Sequence, residues 1–220
     1  MGDLVHLTAA DGHRFTVYRA TPIGKPKGGI VLLHEVYGIN THLRGLADAF
    51  ADEGYKVLAP ALFDRAEKGV EMNFSAKGAE IGCGLRNEIG WDAPLLDIET
   101  ARQNLSDTGK IAVIGESYGG SLAWRAAAKL NFACAVCGSP GELQTFITEL
   151  PKCPTQLHFA IHDIKTPAKL RATAKNIPNV ETFEYDADHA FTCPQRPGYA
   201  ASATRQVEAH TLSLLGTHLS

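Results

Sequence analysis

KIAVIGESYGG, residues 110–120, is the stretch from which the architecture can be read. Its first half is a short unbroken apolar run, the pattern of a strand buried on both faces. Its second half is turn chemistry, and residues 118–130 that follow are mostly small and apolar, as a buried helix requires. Strand, tight turn and helix thus follow one another with no linker, and Ser117 stands at the tip of the turn. Gly-x-Ser-x-Gly alone carries little weight, because roughly one chain in fifteen of this length matches it by chance. Its place between a strand and a helix is what distinguishes it, since a strained strand-to-helix turn is how a serine nucleophile is presented. The alternative is a plain turn with Ser117 capping the helix.

Working outward, the same short apolar runs recur at 28–34 (GGIVLLH), 55–59 (YKVLA), 132–137 (FACAVC), 155–161 and 180–185. Helical periodicity lies between them at 41–53, through Leu43, Leu46, Ala47 and Phe50, and at 93–107 and 168–175. An amphipathic segment over 200–215 closes the chain. Residues 4–9 and 14–20 flank Asp11-Gly12, a hairpin signal. After the hairpin, strands and helices alternate, which predicts an α/β domain with a mainly parallel sheet and helices on both faces. Residues 61–91, with glycines at 69, 78, 82, 84 and 90, read as one or two short helices, and Pro60 is expected to stop strand pairing. With no repeat and no low-complexity linker, residues 1–220 are expected to form a single domain.

Composition narrows the function. Hydrophobic residues make up 45% and charged residues 20%, which excludes disorder and coiled coil. The formal net charge of −3 offers no basic field for a phosphate backbone, so nucleic acid is not an expected partner. No apolar run approaches the ~20 residues of a membrane helix. The start of the sequence has no basic, apolar leader, and His6 breaks the myristoylation pattern. The five cysteines are an odd count, which suits reduced thiols. The expected location is therefore cytoplasmic. Cys134-x-x-Cys137 lacks a second pair of metal ligands, so these thiols are read as strand residues and no metal is expected.

Sites in such sheets lie beyond the carboxyl ends of strands, which directs attention to the loops after His34, Gly115, Ile161 and Tyr185. A serine hydroxyl needs a base. Of nine histidines, His189, in DADHAF (186–191) between the last strand and the last helix, holds the expected place, with His34 and His162 as competitors. The residue orienting the imidazole should fall between serine and histidine in chain order. Asp163 does; Asp186 and Asp188 are rivals adjoining His189. The loop HEVYG after the first buried strand is where the second oxyanion donor belongs, so the donors are read as the backbone N–H groups of Val36 and Tyr118. Glu35 is the unusual feature, a carboxylate that needs a partner there.

Together, HEVYGIN (34–40), APALF (59–63), GESYGG (115–120), Asp163, DHAF (188–191) and PGYAAS (197–202) resemble the dienelactone hydrolase family, a branch of the α/β-hydrolases. The resemblance implies an α/β-hydrolase fold without a large lid. It implies cleavage of an enol-lactone or related ester through an acyl-enzyme, with no metal or organic cofactor. It gives Ser117 the role of nucleophile, His189 that of base and Asp163 that of orienting acid, and sets Glu35 against the resting nucleophile. Two departures stand out. The family nucleophile is cysteine, and the family arginine four residues past the histidine is Cys193 here. Arg196 is its candidate replacement, and Arg65, Lys77 or Arg86 the candidates for a second. Tyr37, Arg86, Phe191 and Arg196 are the expected substrate-binding residues, and Phe63, Phe74, Trp91 and Tyr118 further candidates for the wall. The expected partner is a small-molecule ester or lactone, acted on by a monomer or weak dimer. A general short-chain carboxylesterase, a peptidase of the same fold and a non-catalytic binding homologue are the alternatives.

Overall fold

The opening hairpin forms as β1 (Asp3–Thr8) and β2 (Arg14–Ala20), paired antiparallel, in the computed structural model, which describes residues 2–219. The chain divides into two compact units, one ending at Ile111 and one beginning at Ala112.

In the first unit, β3 (Gly29–Leu33) leads through α1 (Thr41–Asp52) to β4 (Lys56–Pro60). The strand order is β1-β2-β4-β3, with β2 antiparallel and β3 parallel to β4. Every residue of β3 is buried, as its unbroken apolar run requires. The Asn40 side chain caps α1 by accepting from Leu43 N–H at 3.1 Å. Pro60 does not stop the pairing: it stands in β4 in register with Val17, and Ala61 N–H carries the next bond to Thr16 O. Residues 61–91 form a 3₁₀ turn at Leu62–Arg65 and one helix of 14 residues, α2 (Ala76–Ile89), capped by Ser75. α3 (Ala93–Gln103) follows. The buried Asp64 carboxylate ties the 3₁₀ turn to β2 by accepting from Thr16 N–H and from Gly69 N–H. Arg65 joins Asp97 of α3 to Asp11 of the hairpin.

The second unit repeats strand and helix more regularly: β5 (Ile111–Glu116), α4 (Tyr118–Lys129), β6 (Cys134–Gly138), α5 (Leu143–Phe146), β7 (Thr155–Ala160), α6 (Ala168–Ala174), β8 (Val180–Tyr185) and α7 (Ala201–Leu219). Its strands run in the order β5-β6-β7-β8, all parallel. α4 is buried from Tyr118 to Ala128, which its glycines and alanines permit. Trp124 and Arg125 on this helix hold the α5 segment, through Trp124 Nε1–H to Phe146 O and Arg125 to Glu149. Cys134 and Cys137 are buried strand residues, and burial pushes the Cys134 thiol up to about 12, far from reactive thiolate chemistry. α7 continues past the expected end at 215 and carries His210 and His218.

Candidate active site

Three strand ends of the second unit, those of β5, β7 and β8, build the site. At the first, β5 runs directly into α4 and Ser117 is the hinge residue, with φ 54° and ψ −110°. A positive φ at serine is strained and needs its surroundings to impose it. They do so through glycines. A Cβ on Gly115 would stand 2.2 Å from Gly119 O, and one on Gly120 would stand 2.4 Å from Gly138 O, so strand and helix approach closer than any side chain permits. Ser117 N–H is fixed to Gly138 O at 2.9 Å.

At the next two ends, the turn after β7 supplies Asp163 and the loop after β8 supplies His189. Ser117 Oγ lies 2.9 Å from His189 Nε2, and His189 Nδ1 lies 2.6 Å from Asp163 Oδ2. The hydroxyl donates to Nε2 while Nδ1–H donates to the carboxylate. The other Asp163 oxygen accepts Lys165 N–H at 2.9 Å. Burial alone would raise the Asp163 acid. The hydrogen bond and charge of His189, the Lys165 N–H and the Lys165 charge outweigh it and hold the group below the ordinary carboxylate range. Asp163 is therefore the ionised partner of the imidazole. Its rivals lie elsewhere: Asp186 pairs with the exposed His162 at 2.7 Å, and Asp188 is exposed.

The other histidine competitor also has a different task. His34 is fully buried, its Nδ1–H donates to Glu35 O and its Nε2 accepts Leu62 N–H. Burial pushes it down to about 4, so it is a neutral structural crosslink.

Glu35, Val36 and Tyr37 occupy the turn after β3 in the first unit. That turn is held by the stretch that sequence reading resolved least. Ile39 N–H bonds Val70 O, Met72 N–H bonds Tyr37 O, and Arg44 grips both Ile39 O and the Glu71 carboxylate. Gly82 of α2 lies so close to Val36 that a Cβ would stand 1.7 Å from its carbonyl oxygen. Glu35 is 8% exposed, and the Tyr37 ring meets Phe74 edge-on at 4.8 Å. Arg86 lies over Trp91 and bonds Asn87. In the second unit, Tyr118 opens α4 and is 3% exposed. Arg196 sits half-buried in the turn between Cys193 and Tyr199. Phe191, expected in the pocket wall, is a core residue: its ring packs with Ala160, Tyr185, Ala187 and Ala203, because an aromatic two places past the histidine turns in under α7. Sequence reading passed over Lys165, whose spacing marks nothing and whose position emerges only in three dimensions.

The parallel strands, flanking helices and tight strand-to-helix turn are those of the α/β-hydrolase fold. A family model described as the dienelactone hydrolase family matches residues 15–219, and the chain belongs to that family. Among curated proteins it is 28% identical to a carboxymethylenebutenolidase of Pseudomonas sp. (strain P51), over 95% of this chain and 92% of that one. Among solved structures it matches a dienelactone hydrolase-like promiscuous phosphotriesterase from metagenomic libraries with a TM-score of 0.77, 19% identity and coverage of 99% and 98%. An esterase of Pyrococcus furiosus matches with a TM-score of 0.70, 18% identity and coverage of 100% and 93%. The two structural likenesses concern the fold.

Proposed function

We propose that this chain hydrolyses carboxylic esters or lactones through an acyl-enzyme on Ser117. The observation that carries the reading is a single imidazole joining a serine hydroxyl at 2.9 Å to a buried, ionised carboxylate at 2.6 Å. As Oγ attacks the carbonyl, Nε2 takes its proton, and the imidazolium so formed lies against Asp163. The oxyanion is assigned to the N–H groups of Tyr118, at the positive end of α4, and of Val36; losing one such donor costs roughly 10²–10³ in turnover. His189 returns the proton to the departing alcohol or enol, then activates water to release the acid and regenerate Ser117. A serine hydroxyl is far harder to ionise than a thiol near ~8.5. Glu35 is therefore assigned to positioning the hydroxyl or a water, without generating an anion. The name of the curated relative, a carboxymethylenebutenolidase, supports an ester or lactone as substrate. The same reading has the enzyme work in the cytoplasm, as a single domain and as a monomer or weak dimer.

Replacing Ser117 with Ala is expected to lower kcat on 4-nitrophenyl acetate by at least about 10³ with an unchanged melting temperature. A fluorophosphonate should add to Ser117 of the parent and to no residue of the variant. Retained turnover would overturn the assignment. The ratio of kcat/KM for cis-dienelactone to that for 4-nitrophenyl acetate then separates a lactonase from a short-chain esterase.

A further inference from the structure

Between β7 and α6 the chain turns on residues 163–166. Asp163 and Thr166 are buried, but Ile164 and Lys165 are exposed, so the middle of the turn has no packing to hold it. Thr166 N–H closes the turn on Asp163 O at 3.1 Å, and Lys165 N–H holds the Asp163 carboxylate at 2.9 Å. These bonds fold the turn without placing its far end. Arg171, in α6, places it. Its Nη1 donates to Thr166 O at 2.7 Å, and its Nε donates to Glu184 Oε2 at 3.1 Å. Glu184 lies on β8 in register with Phe159 of β7, and its other oxygen is held by Lys175 at 2.7 Å. Arg171 is itself buried, so the fork works out of water.

A guanidinium holds a carbonyl and a carboxylate at once in a fixed plane, whereas an ammonium is a point charge on a flexible stem. A buried carbonyl bonded to a cation is a strong tie and a costly one to leave unmade. One side chain thus fastens the turn that carries Asp163 to the strand that leads into the loop of His189. Resting on the hydrolase reading above, we propose that Arg171 is a positioning residue. It acts through Thr166 and Asp163 to keep the carboxylate 2.6 Å from His189 Nδ1 while the imidazole takes the serine proton. Thr166 and Asp163 stand between it and the reacting atoms, so its contribution falls on the chemical step and not on substrate binding.

The test is a mutant cycle with Asp163→Asn, read on whichever of 4-nitrophenyl acetate and cis-dienelactone the parent turns over faster. In the parent, Arg171→Met should lower kcat about tenfold and leave KM within about twofold. In the Asp163→Asn background the same substitution should change the residual kcat by less than about twofold, because the group it positions is gone. The His189 Nδ1–H proton resonance should move upfield in Arg171→Met as its hydrogen bond lengthens. Arg171→Lys keeps a cation beside Glu184 and should lose only about threefold. If Arg171→Met does not fold, the cycle is run with Arg171→Lys. Losses of equal size in the two backgrounds, or a parent kcat that the substitution leaves unchanged, overturn this inference alone. A parent that turns over neither substrate overturns the hydrolase reading, and this inference with it.

Discussion

Two turns that follow buried strands, residues 34–40 after β3 and residues 116–120 after β5, are both shaped by glycine, yet they are held in different ways. The second is enforced by its own neighbours in sequence. Gly115 meets Gly119, and the farthest tie is Ser117 N–H to Gly138 O, at the end of the adjoining strand. The first is enforced from a distance, by Val70, Met72 and Glu71 along one side and by Gly82 of α2 against the Val36 carbonyl. One turn carries its instructions with it; the other borrows them from a segment with little pattern of its own.

The largest expected effect concerns the locally encoded side. If the three loops of the second unit are fixed by their strand ends, the chemistry within them can be altered without loss of fold. Asp163→Asn should lower kcat by roughly 10⁴, through the wrong imidazole tautomer, while the circular dichroism spectrum and melting temperature stay close to the parent's. A variant that unfolds instead would mean that Asp163 also holds the turn together.

A middle-sized effect separates the two turns directly. Gly120→Ala forces a Cβ against Gly138 O, and Gly82→Ala forces one against Val36 O, each costing about 1–3 kcal/mol of stability by overpacking. Hydrogen exchange should then show different scars. Gly82→Ala should speed exchange at Ile39 and Met72, and Gly120→Ala at Ser117, each leaving the other set protected. Identical patterns from both variants would erase the distinction.

The smallest effect uses acid. His158 on β7 is buried, its Nδ1 bonds the Tyr185 hydroxyl, and burial pushes it down to about 3 from an ordinary 6.5; His34 lies at about 4. Both folded-state values lie below the unfolded one, so the unfolded chain binds these protons first. The stability is fully present above about pH 6.5 and is lost as the pH falls toward the folded values. His158→Phe, a ring of similar size among Phe183 and Tyr185, should flatten the slope of unfolding free energy between pH 6.5 and 4.5 by up to about 1.4 kcal/mol per pH unit. Urea denaturation at pH 7 and pH 5 reads it, and an unchanged slope would mean that His158 is not neutral in the folded chain.

The same contrast governs what could be read from residues alone. The strand runs and the turns that bring Ser117, Asp163 and His189 together were legible because each turn follows an apolar run, while Asp163 was set apart from Asp186 and Asp188 by chain order. α2 was foreseen only as one or two short helices within 61–91, because Gly78, Gly82 and Gly84 look like loop punctuation, whereas Gly82 is in a helix so that the helix can lie against Val36. Pro60 looked like a stop, and the parallel pairing with β3 does end at Leu58 and Val31, but on the β2 side Pro60 stays in register with Val17 and Ala61 N–H continues to Thr16 O. Phe191 looked like a pocket aromatic because it lies two places past His189; its ring is buried with Ala203 of α7, which no spacing reveals.

The strained backbone at Ser117 has a consequence in time. Because the peptide before it is bonded to Gly138 and the one after it begins a buried helix, the conformational search for the reacting oxygen is completed once, when the chain folds, and is not repeated at each encounter. Under the hydrolase reading, a substrate reaching this hydroxyl would meet an already ordered partner, so the ordering entropy still to be lost belongs to the substrate.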